Sequence, residues 1–293
     1  MPAKIGRVGP SLCGVLDIPG YLARLGRDRP DEPSLEALTD LHRTQVERVP
    51  YNTLDIHLGR PGSLDPAESV RRIVATGRVG YCYQLNGAFA ALLRSVGFDV
   101  RQHRGWVWHD EGSARPFANH LALTVHGLPT VDNPEGAWLV DTGLGDGLHE
   151  PMPLRAGAMA QGPFEYRLEP AGVDGGWRWR HDPAGSFIGM DFDPADADVS
   201  AFEAGHAELS SAPTSTFVRH VIVQRRDGAG VDKLINCTIQ RVEGPRTVEW
   251  ELNTAVEWFA ALADVFWLTL DDLEPDDRDR LWRRARMAHR VAR

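Results

Sequence analysis

A change of hydrophobic period near Gly97 constrains this chain more than any other feature of its sequence. Before Gly97, apolar residues recur at helical spacing; after it, short alternating runs dominate. Ser34 can cap a helix in which Leu35, Leu38, Leu41, Gln45 and Val49 repeat at that spacing, ending at Pro50. Asp65, Pro66 and Glu68 supply a capping side chain, a proline at the first helical position and an acid in the first turn. Val70, Ile73 and Val74 give that second helix its apolar side, and Gly77 can end it. In YQLNGAFAALLRSVGF a third helix places Leu85, Phe89, Leu92 and Val96 on one face.

Beyond Gly97, DVRQHRGWVWHD, HLALTVHG and AWLVDTGLG are rich in β-formers and separated by Gly, Pro and Asp, as in a small antiparallel sheet or barrel. PMPLRAGAMAQGPFEYRLEP continues in that manner. From about Asp193 the texture changes again. TFVRHVIVQRR, DKLINCTIQRV and RTVEWELN read as strands, the first two joined by DGAG. Thr254 and Glu257 have capping-box spacing ahead of AVEWFAALADVF. The closing segment is acidic at its start and basic at its end, as a helix dipole favours. Its basic run is either a solvated helix end or a contact for an anion.

The chain has 293 residues, 42% of them hydrophobic, enough for a sizeable core or for two or three small domains. Its formal charge of −9 argues against nucleic acid as a partner, since phosphate backbones need a cationic surface. Three separated cysteines, Cys13, Cys82 and Cys237, fit a reduced compartment better than a disulfide framework. With no signal-like start and no run near the ~20 apolar residues of a membrane span, the expectation is a cytoplasmic protein without membrane contact.

The sharpest local signal is GRVGYCYQLNG, residues 77 to 87. Cys82 falls where a loop enters the third helix, and a helix N-terminus favours the thiolate, the form that attacks acyl groups. His120 opens an alternating strand in which it shares a polar or cleft-facing side with Ala122 and Thr124. Asp141 ends the apolar run WLV, where a carboxylate can orient an imidazole. Taken singly, Cys82 also reads as a small buried hydrophobe, His120 as a structural ring and Asp141 as a turn residue. Together they are compatible with a thiol–imidazole–carboxylate triad, whereas His42, His57, His103, His109, His149 and His289 lack a comparable strand-and-acid setting. Gly143, Gly145 and Gly147 in GLGDG could bring backbone N–H groups close to a pyrophosphate, although the loop is neither a GxGxxG nor a P-loop.

These residues resemble the arylamine N-acetyltransferase family. Its motif R-G-G-[FY]-C-x-E-x-N is matched by RVGYCYQLN at residues 78 to 86, and its I-P-F-E-N-L by VPYNTL from Val49. Its T-H-x-x-L-x-V is similar to NHLALTV, V-D-V-G-F-G to VDTGLG, P-L-x-L-x-x-G to PMPLRAG, and S-T-S-P-x-S-x-F to SSAPTSTF at residues 210 to 217. The matches are collinear from Tyr21 to the C-terminal helix. The resemblance implies an α+β multidomain fold with a cysteine-protease-like Cys-His-Asp core. It comprises an N-terminal helical bundle over 1–100, a central antiparallel β-barrel over 101–198 and a C-terminal α/β lid over 199–293. It also implies ping-pong transfer of acetyl from acetyl-CoA, without a metal, to an arylamine, arylhydrazine or related small amine. Cys82 would be the acylated nucleophile, His120 its base and Asp141 the group orienting His120. Gly143 and Gly145 would face the coenzyme A diphosphate, and Tyr51 would border the acceptor pocket.

The chain departs from the family pattern at Val79, Gln84 and Asn52. With amides where the family has two acids, Arg78 either lends its field to the thiol or pairs with an acid elsewhere. Other readings of the same residues are an amide synthase on this scaffold, a papain-like or transglutaminase-like enzyme, and a silent protein that binds an aromatic ligand.

Overall fold

The computed structural model describes residues 16–110, 116–171 and 175–291; Cys13 lies outside them. Five helices and one short strand come first: α1 (Ile18–Leu25), α2 (Leu35–Arg48), β1 (Tyr51–Asn52), α3 (Leu54–His57), α4 (Pro66–Thr76) and α5 (Cys82–Ser95). The start signals act as their chemistry dictates. Ser34 Oγ accepts from Ala37 N–H at 3.1 Å and Asp65 Oδ1 from Ala67 N–H at 2.9 Å. Gly77 closes α4 at a φ of 69°.

Eight strands follow: β2 (Asp99–Trp108), β3 (His120–His126), β4 (Trp138–Val140), β5 (Met152–Pro153), β6 (Gly157–Gln161), β7 (Phe164–Pro170), β8 (Trp177–Arg180) and β9 (Gly189–Phe192). They form one antiparallel sheet in the order β5-β4-β3-β2-β9-β8-β7-β6, curled into a nearly closed barrel. One face of β2–β4, with Val100, Leu121, Leu123, Val125 and Val140, shares a core with α1, α2, α4 and α5. The opposite face, with Ala122 and Leu139, packs with Phe164, Tyr166, Trp179 and Met190. The sequence suggested that one side of β3 is polar or faces a cleft. The structure instead buries both of its faces, because α5 covers one and the barrel interior the other.

The remainder comprises a 3-10 turn (Val199–Phe202), α6 (Glu203–Ser211), α7 (Thr216–Arg219), β10 (Ile222–Arg226), β11 (Val231–Ile235), β12 (Thr238–Glu243), β13 (Arg246–Glu251), α8 (Ala255–Asp264) and α9 (Pro275–Val291). Two expected strands are corrected here. The first half of TFVRHVIVQRR is the helical turn α7, because Ser215 Oγ caps Phe217 N–H at 3.2 Å before β10 begins. DKLINCTIQRV is a hairpin, because Asn236 at a φ of 57° turns the chain between β11 and β12. β1 joins this second sheet, pairing Tyr51 with Gln224, which fastens the helical segment to the lid strands. A separate core of Leu54, Val223, Leu234, Trp258, Phe266 and Leu281 holds α3, α8 and α9 against it. No helix among the described residues is long and apolar enough to cross a membrane.

Candidate active site

Two element boundaries, the first residue of α5 and the first of β3, meet at one cavity of about 310 Å³, and the residue after β4, Asp141, backs the second of them. Cys82 and His120 both line that cavity, with Gly143, Leu144 and Tyr51 beside them. His120 Nε2 lies 2.7 Å from Asp141 Oδ2, and neither side chain is more than 2% exposed. That contact leaves Nδ1 as the nitrogen free for the thiol. Burial alone would push the His120 ring down, but Asp141 and Cys82 overrule it and raise its pKa to about 10. The Cys82 thiol reaches the Asn119 carbonyl at 3.7 Å.

Asp141 is held from all sides. Its Oδ1 accepts from Asn86 Nδ2 at 2.8 Å and from Gly143 N–H at 2.9 Å. Its backbone meets His42, whose Nδ1 donates to the His149 carbonyl at 3.0 Å and whose Nε2 accepts from Asp141 N–H at 3.3 Å. Burial pushes His42 down to about 4, which keeps it neutral for that role. Gly143 has to be glycine: an added Cβ would sit 2.7 Å from Cys82 Cα. Its N–H is committed to Asp141, and Gly145, at a φ of 72°, presses on Gln224. Gly143 lines the cavity, and Gly145, half-buried, is not part of its lining.

The fate of the departures is also visible. Arg78 is buried and donates to Asp55 at 3.2 Å and to Asp272 at 2.8 Å and 3.1 Å. Its charge is neutralised there, so the reading in which its field bears on the thiol is corrected. Asn52 is fully buried and spends its amide on the Pro50 carbonyl and Leu54 N–H. Gln84 Oε1 accepts from Tyr81 N–H at 3.3 Å at the head of α5, while its Nε2 donates to the carbonyls of Gly62 and Ser63. Val79 is buried in the helical core.

The dismissal of the other histidines is corrected in part. His149 pairs with Glu47 at 2.8 Å and His289 with Glu251 at 3.0 Å, while His42 braces Asp141 and His109 lines the cavity. The cavity walls that escaped the sequence reading are Asn119, Ser186, Phe187, Phe217, Gln224 and Ile235. The motif NHLALTV, which begins with Asn119, and the motif SSAPTSTF, which ends with Phe217, pointed near two of them. Phe217 stands edge-on to Tyr51 with ring centroids 6.0 Å apart.

Comparison with known proteins decides the family. A profile described as N-acetyltransferase matches residues 34–274. The chain belongs to the arylamine N-acetyltransferase family. It is 28% identical over 257 residues to the Escherichia coli arylamine N-acetyltransferase, an alignment covering 86% of this chain and 89% of that one. The solved Salmonella typhimurium arylamine N-acetyltransferase superposes with a TM-score of 0.81 at 26% identity, covering 92% of this chain and 98% of that one. The Mycobacterium marinum enzyme, solved in complex with CoA, gives a TM-score of 0.81 at 25% identity over the same shares. The protein is an acetyltransferase of this family, with its α+β fold.

Proposed function

We propose that this chain transfers acetyl from acetyl-CoA to small aromatic amines or hydrazines by a ping-pong route through Cys82. The observation that carries the proposal is that Cys82 and His120 share one cavity while Asp141, behind it, holds the far nitrogen of His120 at 2.7 Å. Asp141 accepts from His120 Nε2–H, which leaves Nδ1 able to take the thiol proton. Asp141 then stabilises the resulting imidazolium, in keeping with the raised pKa of His120. Cys82 sulfur attacks the thioester carbonyl, coenzyme A leaves as its thiol after receiving a proton from His120, and acetyl-Cys82 remains. One thioester replaces another, so this half-reaction is close to balanced. The amine nitrogen then attacks acetyl-Cys82 and gives up a proton to His120, an amide forms, the C–S bond breaks, and His120 passes that proton to the sulfur.

At about 310 Å³ the cavity is at the small end of ligand sites, which run from ~300 to ~1,000 Å³. Donor and acceptor would therefore use it in turn, which is what a ping-pong route requires. Tyr51, Phe187 and Phe217 suit a flat acceptor. The CoA complex of the M. marinum relative supports coenzyme A as the donor's carrier, with Gly143 and Gly145 as its proposed neighbours. Because Gly143 N–H is committed to Asp141, its part there is to allow close approach and not to donate.

Incubation with acetyl-CoA and no amine tests this by intact mass and peptide mapping. A single acetyl group on the Cys82 peptide is expected, and arylhydrazine should then remove it with formation of the acetylhydrazide. An adduct on Cys237, or none, would overturn the proposal.

A further inference from the structure

The short helix α7 stands between two recesses. Thr216 and Phe217 line the cavity above Cys82, while Val218, Arg219 and His220 line a second recess of about 320 Å³. Its other walls include His57, at the end of α3, and Arg284 and Met287 on α9. No acidic side chain lines it, in a chain whose formal charge is −9. Among the described residues the guanidinium groups of Arg219 and Arg284 make no hydrogen bond or ion pair, whereas Arg225 and Arg241 of the neighbouring strands are paired.

The two histidines present defined atoms. Asn236 Oδ1 accepts from Val221 N–H at 3.0 Å, so its Nδ2 is the atom 3.0 Å from His220 Nδ1. An amide nitrogen only donates; His220 Nδ1 therefore accepts, and in the neutral ring Nε2 carries the hydrogen. His57 Nε2 faces the His220 carbonyl at 3.0 Å and must donate to it. Its Nδ1 is left buried with no hydrogen-bond partner, on a residue only 6% exposed. Burial pushes the His57 pKa down against its hydrogen bond to the His220 carbonyl, with Arg284 and His220 adding to the downward push.

Unpaired guanidiniums bind carboxylates and phosphates through parallel N–H donors, and mutual repulsion between cations is relieved when an anion joins them. We propose that this recess binds an oxyanion, phosphate or carboxylate, carried on an apolar body. Arg219 and Arg284 would grip the charge, with Nε2–H of His220 as a further donor, and Val218 and Met287 would cover the body. Because Arg219 and Phe217 belong to the same four-residue helix, occupancy would also bear on the wall of the catalytic cavity. That link to turnover rests on the acetyl-transfer reading; the binding does not.

Calorimetric titration of the intact protein with phenyl phosphate and with inorganic phosphate, at fixed ionic strength, tests the site. Both should bind, phenyl phosphate more tightly, and Arg219→Gln and Arg284→Gln should each weaken binding about tenfold or more. The phosphate titrations contain no acetyl-CoA and read the recess apart from acetylation of Cys82, and circular dichroism spectra of both variants matching wild type would show that binding and not folding was lost. Free oxyanions and the 3′-phosphate of coenzyme A share the required chemistry. Displacement of phosphate by coenzyme A and not by its 3′-dephospho form assigns the site to the coenzyme; displacement by neither assigns it to a free ligand. No binding at fixed ionic strength, or equal binding in wild type and both variants, would overturn the proposal.

Discussion

Asn86 Nδ2 donates to Asp141 Oδ1 at 2.8 Å, one turn along the helix that begins with Cys82. The same nitrogen donates to the Leu121 carbonyl, and Asn86 Oδ1 accepts from both the N–H and the hydroxyl of Thr142. One buried amide therefore ties α5 to β3 and to the loop that carries Asp141. No carboxylate can replace it, since both of its N–H groups are in use. Asn86→Asp should destabilise the protein by about 2–4 kcal/mol in urea unfolding, because it sets a second acid against Asp141 and orphans a carbonyl. A midpoint within error of wild type would show that the network is dispensable.

Asp141→Asn tests the carboxylate itself. The new Oδ1 can keep the hydrogen bonds from Asn86 and Gly143, which turns the new Nδ2 toward His120 Nε2. That nitrogen must then accept, the ring hydrogen moves to Nδ1, and His120 can no longer take the thiol proton. Acetylation of Cys82 should fall by about 10³–10⁴ with an unchanged circular dichroism spectrum. Turnover near wild type would remove Asp141 from the proposed machinery.

The helix starts at Ser34, Asp65 and Thr254 were legible because capping is local: each signal lies within four residues of what it controls. Cys82, His120 and Asp141 were legible for a related reason, since each falls at an element boundary that glycine or an apolar run announces. The partners of Arg78 were not. Asp272 lies 194 positions away, and only the docking of the loop before α9 brings it into range. The cavity walls Phe217, Gln224 and Ile235 were hidden likewise, because their exposure to Cys82 depends on β1 pairing with β10. α6 escaped notice because its apolar residues do not form a clear stripe, and Gly205 is its buried position.

Gln84→Glu restores the acid of the family motif and should make this protein less stable. The amide donates to the buried carbonyl of Gly62 and the half-buried one of Ser63, and a carboxylate can donate to neither. A loss of about 1–3 kcal/mol is expected in chemical unfolding. Equal or greater stability would show that the first turn of α5 gains more from the negative charge than it loses in hydrogen bonds.

The glycine loop is anchored from behind by Asp146, whose carboxylate meets Lys233 Nζ at 2.6 Å and accepts from the backbone and hydroxyl of Ser186. His181 Nε2 lies 3.3 Å away, without hydrogen-bond geometry. Burial works to raise the Asp146 pKa, but His181 and Lys233 outweigh it and hold the group well below the usual carboxylate range. A carboxylate with a lower pKa in the folded state than in the unfolded chain contributes stability above the unfolded value, which is 3.8 for a free Asp. As pH falls below that value the unfolded chain takes up the proton first, and the contribution drains away toward the folded pKa. Asp146→Asn should therefore flatten the acid limb of the stability–pH curve below about pH 4. At neutral pH it should cost about 3–5 kcal/mol, because it leaves Lys233 buried without its charge partner. Adding Lys233→Met should recover much of that loss, since the stranded ammonium is what makes the single change so costly. Urea midpoints for the wild type, both single variants and the double variant, taken from pH 3 to 8, supply the measurement. Additive single effects with parallel acid limbs would show that Asp146 and Lys233 act independently, in spite of the 2.6 Å between them.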